Sequence, residues 1–249
     1  MDYLGAPLKA AAMELADLEG HFVDLGGQFV SSAYSMREKL REVKAYVFDW
    51  DGVFNQGTKG VNRNSDFNEV DSMGANMMRY GHFRQFGQMP LTAVITGEDN
   101  PSAVLWSRRE HLHGHYALVK RKEEALEHFC QAYQLEPKEI CFFYDDILDL
   151  PIAEKVGLRL AVGRLANPLF IQYLIEHKAV DYISACQGNE HAVREFSELL
   201  LALMGQHYKV IESRAKFDAE YRNYLEQRQH IHTQFFRYEA EDNAFNLTT

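Results

Sequence analysis

Only six prolines and three cysteines occur in 249 residues, and the longest strongly apolar run is Leu199–Met204. That run is far short of the ~20 residues a membrane-spanning helix needs, so no membrane partner is expected. Cys130, Cys141 and Cys186 are odd in number and form no CxxC pair, which argues against a disulfide framework and for reduced, inert thiols. The N-terminal MDYLGAPLKA has no basic region ahead of an apolar core, so no signal peptide is expected and the location implied is cytoplasmic. Positive charge is scarce too. Lys+Arg number 26 against 36 Asp+Glu, a formal net charge of −10, which repels polyphosphate and disfavours a nucleic-acid partner. A small anionic substrate is compatible with this balance where a metal, a lysine or a helix N-terminus supplies a local cation. The apolar share of 46 % and charged share of 25 % are ordinary globular values and exclude extended disorder.

Three regions separate along the chain. Residues 1–40 place Leu4, Leu8, Leu15, Leu18, Phe22, Leu25 and Phe29 at spacings of three, four and seven, an amphipathic helical pattern interrupted near Gly26-Gly27. Residues 41–204 alternate short β-rich runs (Lys44–Asp49, Leu91–Thr96, His115–Val119, Ile140–Tyr144, Leu158–Val162, Asp181–Ser184) with helical stretches near 73–87, 101–111, 122–134, 147–156, 168–177 and 190–204. This alternation predicts an α/β fold, a Rossmann-like parallel sheet sandwiched by helices. Gly57, Gly60, Asn62 and Asn64, between Val53-Phe54 and Phe67, predict a small β-hairpin flap over 53–70. Residues 205–249 predict a C-terminal helical extension with a polar tail. Phe217, Tyr221, Tyr224 and Leu225 form a narrow stripe there, expected to pack on the N-terminal helices.

Four chemical elements follow in order. Tyr46-Val47-Phe48 runs straight into Asp49-Trp50-Asp51-Gly52. Strand side chains alternate, so Asp49 and Asp51 project to one side while Trp50 turns into the packing. Ligands of open α/β sheets bind at the carboxyl ends of strands, where these two carboxylates lie. So close a pair is tolerable when a divalent cation neutralises one and the other carries a proton. The second element is Ala93-Val94-Ile95-Thr96-Gly97, whose hydroxyl and following N–H groups suit phosphate oxygens, or else cap the next helix. Third come Lys120 and Lys122 at the mouth of a helix. Fourth is Phe142-Phe143-Tyr144 opening into Asp145, Asp146 and Asp149, oxygen donors that suit Mg²⁺ or an acidic helix start.

Taken together, these elements resemble the four motifs of the haloacid-dehalogenase-like phosphatase superfamily. Over residues about 38–204 the chain looks most like its capless 3-deoxy-D-manno-octulosonate 8-phosphate (KDO 8-phosphate) phosphatases. Phe67-Asn68 with Asp71 and Gly74, Asp149-Leu150-Pro151, Glu154-Lys155-Val156-Gly157-Leu158, and Ala192-Val193-Arg194-Glu195 after Gly188 also match. The resemblance implies a Mg²⁺-dependent phosphomonoester hydrolase with Asp49 as nucleophile and Asp51 as general acid and base. It implies Mg²⁺ on the Asp49 carboxylate, the Asp51 main-chain carbonyl and Asp145. Thr96, Gly97 and Lys122 would bind phosphate, with Asp149 orienting Lys122 and Asp146 in support. Lys122 is preferred to Lys120 because the family's lysine opens the helix. The implied substrate is a small phosphorylated sugar or sugar acid, and the implied assembly is a homo-oligomer, a tetramer by resemblance.

Only 44 residues separate Asp51 from Thr96, and 25 separate Thr96 from Lys122, too few for a lid domain in either gap. The chain departs from the family at Glu98, where arginine is usual, and at Tyr144, expected to crowd the backbone beside Asp145. Asn55 and Ser72 replace a threonine and a glycine. These departures support the alternative, a non-catalytic domain retained for oligomerisation or binding. His111, His113 and His115 could place two imidazoles on one strand face for zinc, but no cysteine or carboxylate completes a ligand set. A polar loop entering a strand is the reading adopted.

Overall fold

The sheet is organised around β2 (Ala45–Phe48), whose residues alternate between two cores. Tyr46 and Phe48 enter one, Ala45 and Val47 the other, as a strand covered on both faces requires. The computed structural model describes residues 14–60, 65–239 and 244–248. The remaining described strands are β1 (Gln28–Phe29), β3 (Leu91–Ile95), β4 (Gly114–Ala117), β5 (Ile140–Tyr144), β6 (Leu158–Ala161), β7 (Tyr182–Ile183), β8 (Gln234–Glu239) and β9 (Ala244–Thr248). They form one sheet in the order β1-β7-β6-β5-β2-β3-β4-β8-β9. All neighbouring pairs are parallel except β1 with β7 and β8 with β9 at the two ends.

The first core lies under α1 (Leu15–Asp24), α2 (Ala33–Glu42), α3 (Glu69–Phe86), α4 (Pro101–Arg109), α8 (Ala192–Leu203), α9 (His207–Lys216) and α10 (Ala219–Gln229). The second lies under α5 (Lys122–Tyr133), α6 (Leu150–Ala153) and α7 (Pro168–Glu176). Helix starts are set by side-chain caps where the sequence offers Asx or Ser. Ser32 accepts from Ser35 N–H, Asn68 from Asp71 N–H, Asn100 from Ser102 N–H and Asp218 from Tyr221 N–H. The Rossmann-like parallel sheet sandwiched by helices is therefore observed, with all six expected strands present.

Two expectations differ from the structure, and a third, the β-hairpin flap, falls partly outside the described residues, which omit its tip, 61–64. The flap's described flanks carry turns after Trp50 and one bridge residue at Gly60. Asn55 shapes that segment by accepting from the N–H groups of Gly52 (3.1 Å) and Gly57 (2.8 Å), which closes a turn where a strand would leave both donors to a partner. The polar tail is instead a β-ribbon, in which β8 extends the sheet beyond β4 and β9 turns back on β8. The aromatic stripe packs on α3, not on the N-terminal helices, with Tyr221 and Tyr224 at 5.1 and 5.0 Å from the Tyr80 ring. Leu4 and Leu8 of the N-terminal pattern lie outside the described residues. Among the described residues, no helix is long and apolar enough to cross a membrane.

Candidate active site

Asp49 follows β2 directly, and its N–H still donates to Phe143 O of β5 at 2.9 Å. It therefore keeps the strand's alternation. With Ala45 and Val47 facing the α5 side, the Asp49 carboxylate meets the first residue of that helix. Lys122 Nζ donates to Asp49 Oδ1 at 2.5 Å and to Asp149 Oδ1 at 2.7 Å, and all three side chains are buried. Asp149 closes a 3-10 turn (Ile147–Asp149), its other oxygen accepting from Asp146 N–H at 3.3 Å. Asp146 is exposed and caps the same turn by accepting from Ile147 N–H, a structural task. Lys120 is exposed, so geometry separates the two lysines as the helix-opening argument expects.

Asp145 leaves β5 beside this pair. Asp49, Asp145 and Asp149 each offer a carboxylate oxygen within 4.8 Å of the other two. Burial, and after it repulsion from Asp49, pushes the Asp149 carboxyl up to about 7 in spite of Lys122, and the Asp145 carboxyl up to about 9. Burial also opposes the Lys122 charge, but Asp49 and Asp149 outweigh it and hold the ammonium above its ordinary range. With all three ionised, the carboxylates would exceed by one the two cations that face them, Lys122 and Arg164, which is why Asp145 and Asp149 hold protons until a further cation arrives. An all-oxygen, net-negative donor set of this kind fits a hard divalent cation.

Asp51 points elsewhere. Its Oδ1 accepts from Ser65 Oγ at 2.6 Å, and its side chain is outside the three-carboxylate cluster. Burial, opposed by the Ser65 hydrogen bond, raises its pKa. A carboxyl that holds its proton more readily than usual is suited to protonate a leaving group. Gly52, at φ +93°, then turns the chain so closely under the site that a Cβ would lie 2.1 Å from Asp145 Oδ2.

Thr96 directly follows β3, with its N–H donating to Tyr116 O at 2.9 Å and its buried hydroxyl accepting weakly from Glu98 N–H at 3.3 Å. It does not cap the following helix, a task that Asn100 performs. Gly97 is exposed beside it, leaving backbone N–H groups accessible at the strand end. Glu98 pairs with Lys59 at 2.9 Å, so the charge that replaces the expected arginine is locally balanced. Tyr144 does not crowd Asp145. Its ring stacks parallel to Phe142 and its hydroxyl donates to Ala179 O at 2.9 Å, which sends its bulk into the second core. The three alternating histidines diverge: His111 Nδ1 pairs with Ile231 O, His113 Nδ1 accepts from Thr92 N–H, and His115 Nδ1 pairs with Ser107 Oγ.

Sequence reasoning quoted Gly188 only as part of the family match and missed Arg164 and Ser65. Arg164 lies just past β6, and its Nη2 reaches Asp145 Oδ2 at 2.6 Å and Gly52 O at 3.2 Å. The strand-end rule that found the aspartates would have found it. Gly188 sits so close to the Asp51–Asn55 turn that a Cβ would lie 2.2 Å from Gly52 O. A larger cavity of about 640 Å³ is lined by α1 and α8 residues such as Leu18, Phe22 and Arg194 and contains none of the expected site residues.

No family model matches the chain. It is 28 % identical over 175 residues to the 3-deoxy-D-manno-octulosonate 8-phosphate phosphatase of Salmonella typhi, covering 68 % of this chain and 84 % of that protein. A probable YrbI-family phosphatase of Pseudomonas syringae matches in structure with a TM-score of 0.61 at 25 % identity, over 73 % of this chain and 98 % of that one. The Moraxella catarrhalis 3-deoxy-D-manno-octulosonate 8-phosphate phosphatase, solved with magnesium, phosphate and KDO, shares the fold with a TM-score of 0.59 at 22 % identity, over 74 % and 98 % of the two chains. The chain is thus similar in sequence and fold to the KDO 8-phosphate phosphatases of the haloacid-dehalogenase superfamily, and these matches support a phosphatase.

Proposed function

We propose that this protein is a Mg²⁺-dependent phosphomonoesterase that hydrolyses a small phosphorylated sugar or sugar acid through an aspartyl-phosphate on Asp49. The observation that carries the reading is Lys122 held between Asp49 and Asp149, with Asp145 alongside, at the carboxyl ends of adjacent parallel strands. Three buried acids converging on one point destabilise a fold unless cations neutralise them, and a divalent ion added to Lys122 leaves positive charge for an anionic ligand.

Asp49 attacks phosphorus while the bond to the ester oxygen breaks, and Asp51 gives its proton to the departing alkoxide. Asp51, now a carboxylate, takes a proton from the water that attacks the aspartyl-phosphate, which releases phosphate and restores Asp49. Lys122, the Thr96 hydroxyl and the backbone N–H groups at Gly97 and Glu98 hold the phosphoryl oxygens as charge redistributes. Asp149 keeps the Lys122 ammonium charged and aimed. The Asp49 and Asp145 carboxylates and the Asp51 carbonyl would hold Mg²⁺, which when bound supplies positive charge at the phosphoryl group. The same resemblance supports a homo-oligomer, for which a tetramer mass by light scattering is the expected result.

The test is hydrolysis of p-nitrophenyl phosphate and KDO 8-phosphate with and without Mg²⁺, with Asp49→Asn as control. Mg²⁺-dependent phosphate release that disappears in the variant is expected. Absence of turnover on both esters by the folded protein, together with Mg²⁺ binding, would turn the reading to a non-catalytic domain.

A further inference from the structure

A polar cavity of about 330 Å³ opens beside the proposed site, lined by Asn55, Gln56, Arg164, Gln187, Gly188 and Asn189. Two features tie it to the catalytic loops. Gly188 packs against the carbonyls of Gly52 and Asn55, which seats the 187–189 loop on the turn following Asp51. Arg164 spans the boundary, its guanidinium reaching Asp145 Oδ2 while the side chain lines the cavity. The lining is amide-rich and carries one charge, that of Arg164. Amides offer donors and acceptors in equal measure, the chemistry that recognises hydroxyl groups.

We infer that Arg164 is a specificity-determining residue that takes a carboxylate on the leaving alcohol of the substrate, and that this cavity holds that polyhydroxy alcohol. The inference rests on the phosphatase reading above and deepens it. Charge bookkeeping at the site gives the reason. Lys122 is committed to Asp49 and Asp149, and Lys59 to Glu98. The partner of Arg164 is Asp145, the residue a divalent cation would claim. Arg164 therefore competes with the cation for Asp145, and once displaced it is a planar cation with two parallel donors beside a hydroxyl-binding cavity. Such a fork pairs bidentately with a carboxylate or a phosphate, and with the phosphoryl oxygens assigned to Lys122 and Thr96 the carboxylate is the anion left for Arg164.

Two measurements test this. The first compares kcat/KM for 6-phosphogluconate and sorbitol 6-phosphate, which differ at one carbon as carboxylate against hydroxymethyl. The wild type is expected to prefer the carboxylate. Arg164→Gln is expected to shrink that preference by about tenfold or more, chiefly through KM, with partial recovery in Arg164→Lys. Asn189→Asp, which adds a negative charge to the cavity without touching the Arg164–Asp145 contact, is expected to lower the preference in the same direction. The second is Mg²⁺ titration by calorimetry with no substrate present, where Arg164→Gln is expected to bind several-fold more tightly because the competing guanidinium is gone. An active wild type with equal losses on both esters in Arg164→Gln, or unchanged Mg²⁺ affinity, would overturn the assignment of Arg164 alone. A folded wild type that hydrolyses neither these esters nor p-nitrophenyl phosphate would instead overturn the phosphatase reading.

Discussion

Replacing Lys122 with methionine removes one charge and keeps most of the side-chain volume, so the variant isolates what the ammonium does. The contacts are 2.5 Å to Asp49 and 2.7 Å to Asp149, with side-chain exposures of 8 %, 5 % and 1 % for Lys122, Asp49 and Asp149. At an effective dielectric of about 20, each contact carries roughly 6 kcal/mol of gross attraction. Desolvation of all three groups cancels most of that, and breaking a buried pair typically costs about 3–5 kcal/mol because the stranded charge remains buried. Urea unfolding of Lys122→Met in EDTA at pH 8 should show a loss of about that size. Asp149 sets the pH dependence. Its native pKa is about 7 even with Lys122 present, against roughly 3.9 for an unfolded aspartate. The native state therefore holds a proton the unfolded chain has released, and the stability tied to that proton declines as pH rises from about 4 through about 7. Loss of Lys122 pushes Asp149 higher still, so the gap between variant and wild type should narrow at pH 5, where the stranded acid is neutral. Asp149→Asn added to Lys122→Met should recover part of the loss at pH 8. A gap below about 1 kcal/mol, or one that does not change with pH, would refute the idea that these carboxylates depend on Lys122.

Asp51→Asn keeps the Asp51 shape but cannot give up a proton, so kcat for alkyl phosphates should fall by about 10²–10⁴, and less for p-nitrophenyl phosphate, whose leaving group needs little protonation. His82 and His115 are buried and His113 half-buried, and burial lowers the pKa values of His82, His113 and His115 to about 4, 3 and 4. Each binds a proton on unfolding, so stability should fall as pH drops below about 6.5, and His82→Gln should flatten the slope by up to roughly 1.4 kcal/mol per pH unit in acid titrations of unfolding. Phe236 is buried in the C-terminal ribbon and stacks on Tyr116 at 4.8 Å, so Phe236→Ala should cost about 3 kcal/mol in urea unfolding while Mg²⁺ affinity is retained.

The site was legible because its chemistry obeys a local rule. Acids placed one residue beyond an apolar strand must lie at the carboxyl edge of a parallel sheet, and alternation along β2 decides that Asp49, not Trp50, faces the Lys122 side. Lys122 was preferred to Lys120 because in the family the chain resembles the lysine opens the helix, and Lys122 is the first residue of α5. Arg164 stands at a strand end as the aspartates do, but a lone basic residue in a loop reads as a solvated surface charge until the fold brings it to Asp145. β1 is too short, at two residues, for any pattern to show. The run Gln234–Glu239 holds three aromatics and has strand propensity of its own, but its partner β4 is more than a hundred residues away, and nothing in the tail announces that pairing. Of the aromatic stripe, Tyr221 and Tyr224 of α10 are buried as expected while Phe217 is exposed, and the partner is α3, because a stripe reports that a face is covered and not by what.

The ribbon that closes the β4 edge has a consequence for how the protein is made. Synthesis runs from the N-terminus, and β1 to β7 are complete long before Gln234 pairs with Gly114. Until residues 234–248 have left the ribosome, β4 stands as an open parallel edge, with the buried ring of Tyr116 lacking its cover from Phe236 and Phe245. The nascent molecule thus passes through a stage in which the Asp49, Lys122 and Asp149 cluster is assembled but its sheet can still recruit a foreign strand. The pairing of β8 with β4 and the turn-back of β9 on β8 end that interval, so a ribbon remote from the cluster in sequence acts as the seal on the sheet that carries it.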